Sequence, residues 1–168
     1  MTPLIEFRAQ IIFRLEEKKN HLERCFNQLD EGDMWWRPNE ASNSVANIIL
    51  HLAGNLGQYV LSSLGQQPDT RERDAEFDTR DGWTKELLLT LICTTLEQCV
   101  EVVQQCADEE LLRERSVQGF SFTGIGVALH AVEHLSYHVG QIAYIVKLRK
   151  DRQVGLYDDF DLNQLNEG

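Results

Sequence analysis

Three histidines, His130, His134 and His138, follow one another at four-residue spacing in the segment from His130 to Ile142. On a helix, residues i and i+4 share a face with Cβ atoms about 5 to 6 Å apart, so imidazoles on successive turns can meet on one divalent ion. A fourth histidine, His51, lies in an equally apolar run far away in sequence and is able to complete such a site. Three neutral imidazoles from two helices leave one coordination position for water or substrate, the pattern of catalytic rather than structural zinc.

A helical wheel at about 100° per residue sorts these histidines. Val127, Ala128, Val132, Leu135, Val139, Ile142 and Val146 define an apolar arc, with His138 inside it, His134 at its edge and His130 outside. The chelating pair is therefore His134 and His138. On the other helix, His51 and Asn55 sit about 40° apart at the margin of an arc made by Ile48, Leu52, Leu56, Tyr59 and Val60. Both can face one cleft. Asn55, one turn after His51, and Gln141, three residues beyond His138, carry amides able to orient a ligand or a bound water. Glu133 adjoins His134 in sequence but points to the opposite face, so no general base is evident. His21, among Lys18, Lys19, Glu23 and Arg24, reads as a solvated histidine, and Gly54 and Gly140 read as points of close helix approach.

The elements that carry these residues are helices. Thr2 and Pro3 form an N-cap and first-turn pair, and Leu4, Ile5, Ile11, Ile12, Leu15, Leu22, Phe26 and Leu29 recur at helical spacing until about Asp30, before Gly32. A second helix, capped by Ser42 or Asn43, runs to Leu64. A third starts around Thr84 and reaches about Ala107, and the last spans about Phe122 to Lys150. These ranges, about 3–30, 43–64, 84–107 and 122–150, show no strand-like alternation and predict one all-α domain over residues 1–168, a four-helix bundle. The stretch from Gly65 to Trp83 is long enough to cross the bundle and join two parallel neighbours, which favours an up-down-down-up order. Trp35 and Trp36 read as an anchor for the first linker. The acidic tail after Lys150 is expected to pack loosely.

Charge narrows the partners. With 27 acidic against 16 basic residues the net charge is -11, which repels a phosphate backbone and argues against nucleic acid. No apolar run approaches the roughly 18 residues of a membrane span, and the N-terminus lacks the pattern of a signal peptide. Cys25, Cys93, Cys99 and Cys106 form no CxxC pair and fall on helical patterns, where a free thiol behaves as a small buried hydrophobe. A cytoplasmic protein with a small-molecule substrate and no membrane partner is expected.

The stretch Trp35-Trp36-Arg37-Pro38-Asn39, then Asn43-Ser44-Val45 to His51-Leu52-Ala53-Gly54-Asn55, then Arg71 to Phe77, then His134-Leu135-Ser136-Tyr137-His138-Val139-Gly140-Gln141-Ile142 resembles the DinB-like (YfiT-like) metal-binding four-helix bundles. That resemblance covers most of the chain. It implies an up-down-down-up bundle, a divalent metal usually found as nickel or zinc, frequent homodimers, and metal ligands at His51, His134 and His138, with no need of His130. For activity it implies metal-dependent transferases of low-molecular-weight thiols such as bacillithiol and mycothiol, an isomerase using mycothiol, or hydrolases.

A metal held by three imidazoles keeps its positive charge, and so lowers the pKa of water or of a thiol. The leading expectation is a transferase acting on a low-molecular-weight thiol, followed by a hydrolase using metal-activated hydroxide. The other class is a non-enzymatic metal-binding or interaction module, in which the ion only ties helices together. Arg71, Arg73 and Glu76 are able to reach over one end of the bundle, where an arginine suits a carboxylate-bearing thiol, although such a charge run also reads as a solvated loop. Imidazole accepts zinc, nickel, copper and iron alike, so the ligand set does not select the metal.

Overall fold

The computed structural model describes residues 2–166 and is predominantly helical. Helix α1, Pro3–Phe26, starts where expected: the Thr2 hydroxyl accepts from Ile5 N, and Pro3 occupies the first turn, where its missing N–H costs nothing. It ends earlier than the apolar spacing suggested, and a 3₁₀ turn, Glu31–Asp33, follows. Helix α2, Val45–Leu56, is capped by Ser44 rather than Ser42 or Asn43, and it continues as a π-helical stretch, Gly57–Leu64. The crossover between residues 65 and 84 contains a short helix, α3, Arg73–Asp78. Thr84 caps α4, Lys85–Gln105, by accepting from Leu87 N. A further short helix, α5, Asp108–Leu112, leads to the strands β1, Glu114–Val117, and β2, Phe120–Thr123. The last helix, α6, Gly124–Lys150, is capped by Thr123.

Four long helices form the bundle. Helix α1 packs against α4 and α6, and α2 packs against the same two, which sets α1 diagonal to α2. Directions follow from paired contacts. Arg8 donates to Cys106 O at 2.6 Å and Lys85 Nζ to Leu29 O at 2.7 Å, so α1 and α4 run antiparallel. Arg149 and Lys150 pair with Asp33 and Asp30 just past the end of α1, so α6 is parallel to α1. Tyr59 stacks on His130 while His51 meets His138, so α2 opposes α6. The order is up-down-down-up, with the long crossover joining parallel α2 and α4. Leu15, Leu22 and Phe26 of α1, Ile49, Leu52 and Leu56 of α2, Leu88, Ile92 and Leu96 of α4, and Leu135, Ile142 and Val146 of α6 are buried between them. Each such side chain contributes about 1.5 to 3 kcal/mol of burial. Among the described residues no helix is long and apolar enough to cross a membrane.

The strands correct the expectation of helices alone. Glu114 pairs with Thr123 and Val117 with Phe120 in an antiparallel hairpin whose two-residue turn, Gln118-Gly119, has positive φ at both positions. Strands of four residues are too short to register as alternation, and glutamine is an unusual residue for a left-handed turn. The hairpin closes one end of the bundle, with Tyr59 Oη donating to Gln118 Oε1 at 3.1 Å.

The first part of the tail is a second correction, whereas residues 157–166 are exposed. Val154 is buried, Gln28 donates to its carbonyl at 2.9 Å, and Arg24 reaches Gly155 O at 2.7 Å and pairs with Asp159. His21 is buried beneath that tail, with Tyr157 edge-on at 5.0 Å, instead of standing in solvent. Burial lowers its pKa, and the nearby Lys18 acts in the same direction. Trp35 and Trp36 do anchor the first linker: Trp35 Nε1 donates to Trp83 O, and the Arg149 guanidinium lies over the Trp36 ring.

Candidate metal centre

The last turns of α2 and the middle of α6 bring His51, His134 and His138 together, with one ring nitrogen of each within 4.8 Å of the others. His51 Nε2 lies 3.1 Å from His134 Nε2. Metal–imidazole bonds of about 2.0 to 2.1 Å at tetrahedral angles set ligand nitrogens about 3.3 Å apart, so this pair is close to the separation that one ion requires. His51 and His138 are buried and His134 is half-buried.

Two of the three outward nitrogens have partners. His51 Nδ1 donates to Glu76 Oε2 at 2.8 Å, and His138 Nδ1 donates to Gln141 Oε1 at 2.7 Å. Each ring then carries its proton on Nδ1 and its lone pair on Nε2. His134 Nδ1 is buried without a partner. Burial, reinforced by His138, His51, His130 and Arg71, pushes the His134 pKa down to about 3. Burial also lowers His138, against the hydrogen bond to Gln141. Both shifts favour the neutral imidazole in His134 and His138, the form that binds a cation. The three-imidazole donor set, with the His51 and His138 tautomers fixed, therefore fits a divalent transition metal.

Glu76 is the residue whose role the sequence did not reveal. It comes from α3 in the crossover, is buried, and accepts from Arg71 Nε at 2.8 Å and Arg71 Nη2 at 3.0 Å. Arg71 Nη2 also lies 3.3 Å from His51 Nδ1, but two donors cannot share that contact, and the shorter Glu76 bond takes the His51 proton. Burial opposes ionisation of Glu76, yet the hydrogen bonds from His51 and Arg71 outweigh it and hold the carboxyl below its usual range. Asn47 fixes the segment by donating to Glu76 O at 3.0 Å and Thr79 O at 2.9 Å, while Ser44 donates to Asn47 Oδ1.

The remaining candidates divide. Gln141 holds the His138 ring in place. Asn55 is buried on the His51 face, with its Oδ1 unpartnered. Arg71 does not reach over the bundle's end: its side chain is almost wholly buried and committed to Glu76 and Gln58. Arg73 is exposed and lies over the Phe77 ring, which itself covers His51 with ring centroids 4.8 Å apart. It makes no hydrogen bond to the three histidines. His130 stays out of the cluster, stacked on Tyr59 at 4.2 Å and on His134 at 5.5 Å. Gly140 has open space where a Cβ would stand and makes no close helix approach, whereas Gly54 faces Glu76 and Arg71.

Comparison with known proteins agrees with this architecture. The family described as "Protein of unknown function (DUF1572)" matches residues 5–156. Among solved structures, a DinB-like protein, YjoA, from Bacillus subtilis is similar at 20% identity, with a TM-score of 0.64 over 83% of this chain and 91% of that one. No curated protein matches the chain. The chain belongs to the family described as protein of unknown function DUF1572, and its fold is that of the DinB-like superfamily.

Proposed function

We propose that this protein is a metal-dependent enzyme that holds one divalent ion, zinc or nickel, on His51, His134 and His138 and transfers a low-molecular-weight thiol to an electrophile. The observation that carries the reading is the convergence of three imidazole nitrogens, with the His51 and His138 rings held from behind by Glu76 and Gln141. Among the described residues no carboxylate joins the three, so an ion held there would keep a position for substrate. The bound ion would supply the positive charge that raises the thiolate fraction of a thiol, whose ordinary pKa is about 8.5, at neutral pH.

The protein's own residues supply placement. Phe77 shields His51 on one side, and Tyr59, Phe122 and His130 form an aromatic wall beside His134. Asn55 offers a buried carbonyl oxygen as an acceptor on the His51 face. A thiol needs less help from a base than water does, which favours the transferase over the hydrolase: Glu76 is occupied by His51 and Arg71, and Glu133 is exposed on the far face of α6. We propose a homodimer in solution, as the DinB-like resemblance implies.

The test is a panel of low-molecular-weight thiols and electrophiles, run with metal-loaded and metal-free protein. Turnover that needs metal and is lost in His51→Ala is expected. Silence there, with metal-dependent turnover on a panel of esters and amides, would replace the transferase by a hydrolase. Silence on both would leave a binding module.

A further inference from the structure

Gly54 lies one turn after His51's neighbour Leu50 on α2, facing the crossover. A Cβ at this position would stand 2.9 Å from Glu76 Cδ, closer still to Oε1, and 3.3 Å from Arg71 Nε. No backbone atom obstructs it and its φ is not in the left-handed region, so what the missing side chain leaves room for is the Glu76 carboxylate. The carboxylate lies between Gly54 and His51, with Oε1 on Arg71 Nε and Oε2 on both His51 Nδ1 and Arg71 Nη2.

On the reading that the three histidines bind metal, we propose that Glu76 is a positioning residue for His51, admitted by Gly54 and oriented by Arg71. Its carboxylate keeps the His51 proton on Nδ1 and the Nε2 lone pair turned toward His134. The crossover is thereby part of the site. Because α3 is fastened to α2 by Asn47, a carboxylate from outside the four long helices arrives at a fixed place. Partners of this kind raise ligand basicity and hold ring orientation, and their removal typically weakens metal binding about 10- to 100-fold.

The arrangement also predicts coupling. Glu76→Ala removes the carboxylate, and Gly54→Ala displaces it while leaving it in the chain. Either should weaken metal about 10-fold or more, and the double variant should be little worse than Glu76→Ala alone, because both act on one contact. Glu76→Gln retains an acceptor for the His51 proton and should recover part of the loss.

Two measurements separate this proposal from the metal reading on which it rests. The first is the ring-nitrogen NMR spectrum of His51 in metal-free protein: the Nδ1–H tautomer is expected in the unaltered chain, and a mixture in Glu76→Ala and Gly54→Ala. The second is affinity for Zn²⁺ by chelator competition, with helical content checked by circular dichroism. An unaltered protein that binds no Zn²⁺ but shows the Glu76-dependent tautomer would defeat the metal reading alone. A tautomer and an affinity unchanged in both folded variants would overturn the positioning role.

Discussion

Gln141 Oε1 accepts the His138 Nδ1 proton at 2.7 Å from three residues along the same helix. A neutral amide on α6 thus does for His138 what a carboxylate from the crossover does for His51. Gln141→Ala should leave the fold intact and weaken Zn²⁺ by about 10-fold, the lower end for such partners, because the lost hydrogen bond carries no charge. Chelator competition measures it, and an unchanged affinity would contradict the role.

Metal should stabilise the protein without being required for its fold. An ion bound only to the folded chain adds RT ln(1 + [L]/Kd), about 2.7 kcal/mol when free metal is 100 times Kd. The core made by Leu15, Phe26, Leu52, Leu96 and Leu135 does not include the site. Chelation should lower Tm by several degrees, with helical circular dichroism retained at 25 °C. Loss of that signal on chelation would make the ion a structural staple.

Acid stability should depend on Asp33. Its carboxylate is buried at the junction of α1 and α6, where Lys150 Nζ reaches it at 2.7 Å, Arg149 Nε at 2.7 Å and Asp30 N at 2.8 Å. Burial opposes its charge, but these partners win and lower its pKa from 3.8 to about 2. A carboxylate depressed by folding stabilises fully above its unfolded pKa and loses that contribution as pH falls through the folded value. Asp33→Asn should therefore cost on the order of 2 kcal/mol at pH 7. The difference should shrink between about pH 4 and pH 2. Urea titrations at several pH values test this, and a difference independent of pH would contradict it.

The tail should contribute to stability through Val154 and its cover over His21. Removing residues 154–168 exposes His21 and frees Arg24 and Gln28 from their tail partners. A fall in Tm of a few degrees is expected, on the order of 1 to 2 kcal/mol. An unchanged Tm would mean that this packing adds nothing.

Local chemistry was legible in the sequence, and distant packing was not. The Thr2 cap and the helix start at Thr84 follow from side chains that bond amides three residues on, which depends on near neighbours alone. The convergence of the histidine trio was legible because i, i+4 spacing fixes two imidazoles on one face and a second apolar helix supplies the third. Glu76 was visible only as a charge in a linker, since its place depends on Asn47 of α2, 29 residues earlier. His21 looked solvated because its helix neighbours are charged, whereas the ring that covers it, Tyr157, lies at the other end of the chain. Arg71 and Arg73 looked equivalent, yet one is buried against Glu76 and the other lies over Phe77 at the surface.

Metal content across four single histidine variants tests the central claim most directly. Protein purified without an affinity tag and loaded with Zn²⁺ should hold one ion per chain, as should His130→Ala, whose ring only stacks beside the cluster. His51→Ala, His134→Ala and His138→Ala should each fall well below one. Full occupancy in His134→Ala, or loss in His130→Ala equal to that in the other three, would contradict the assignment of His51, His134 and His138 as the metal ligands.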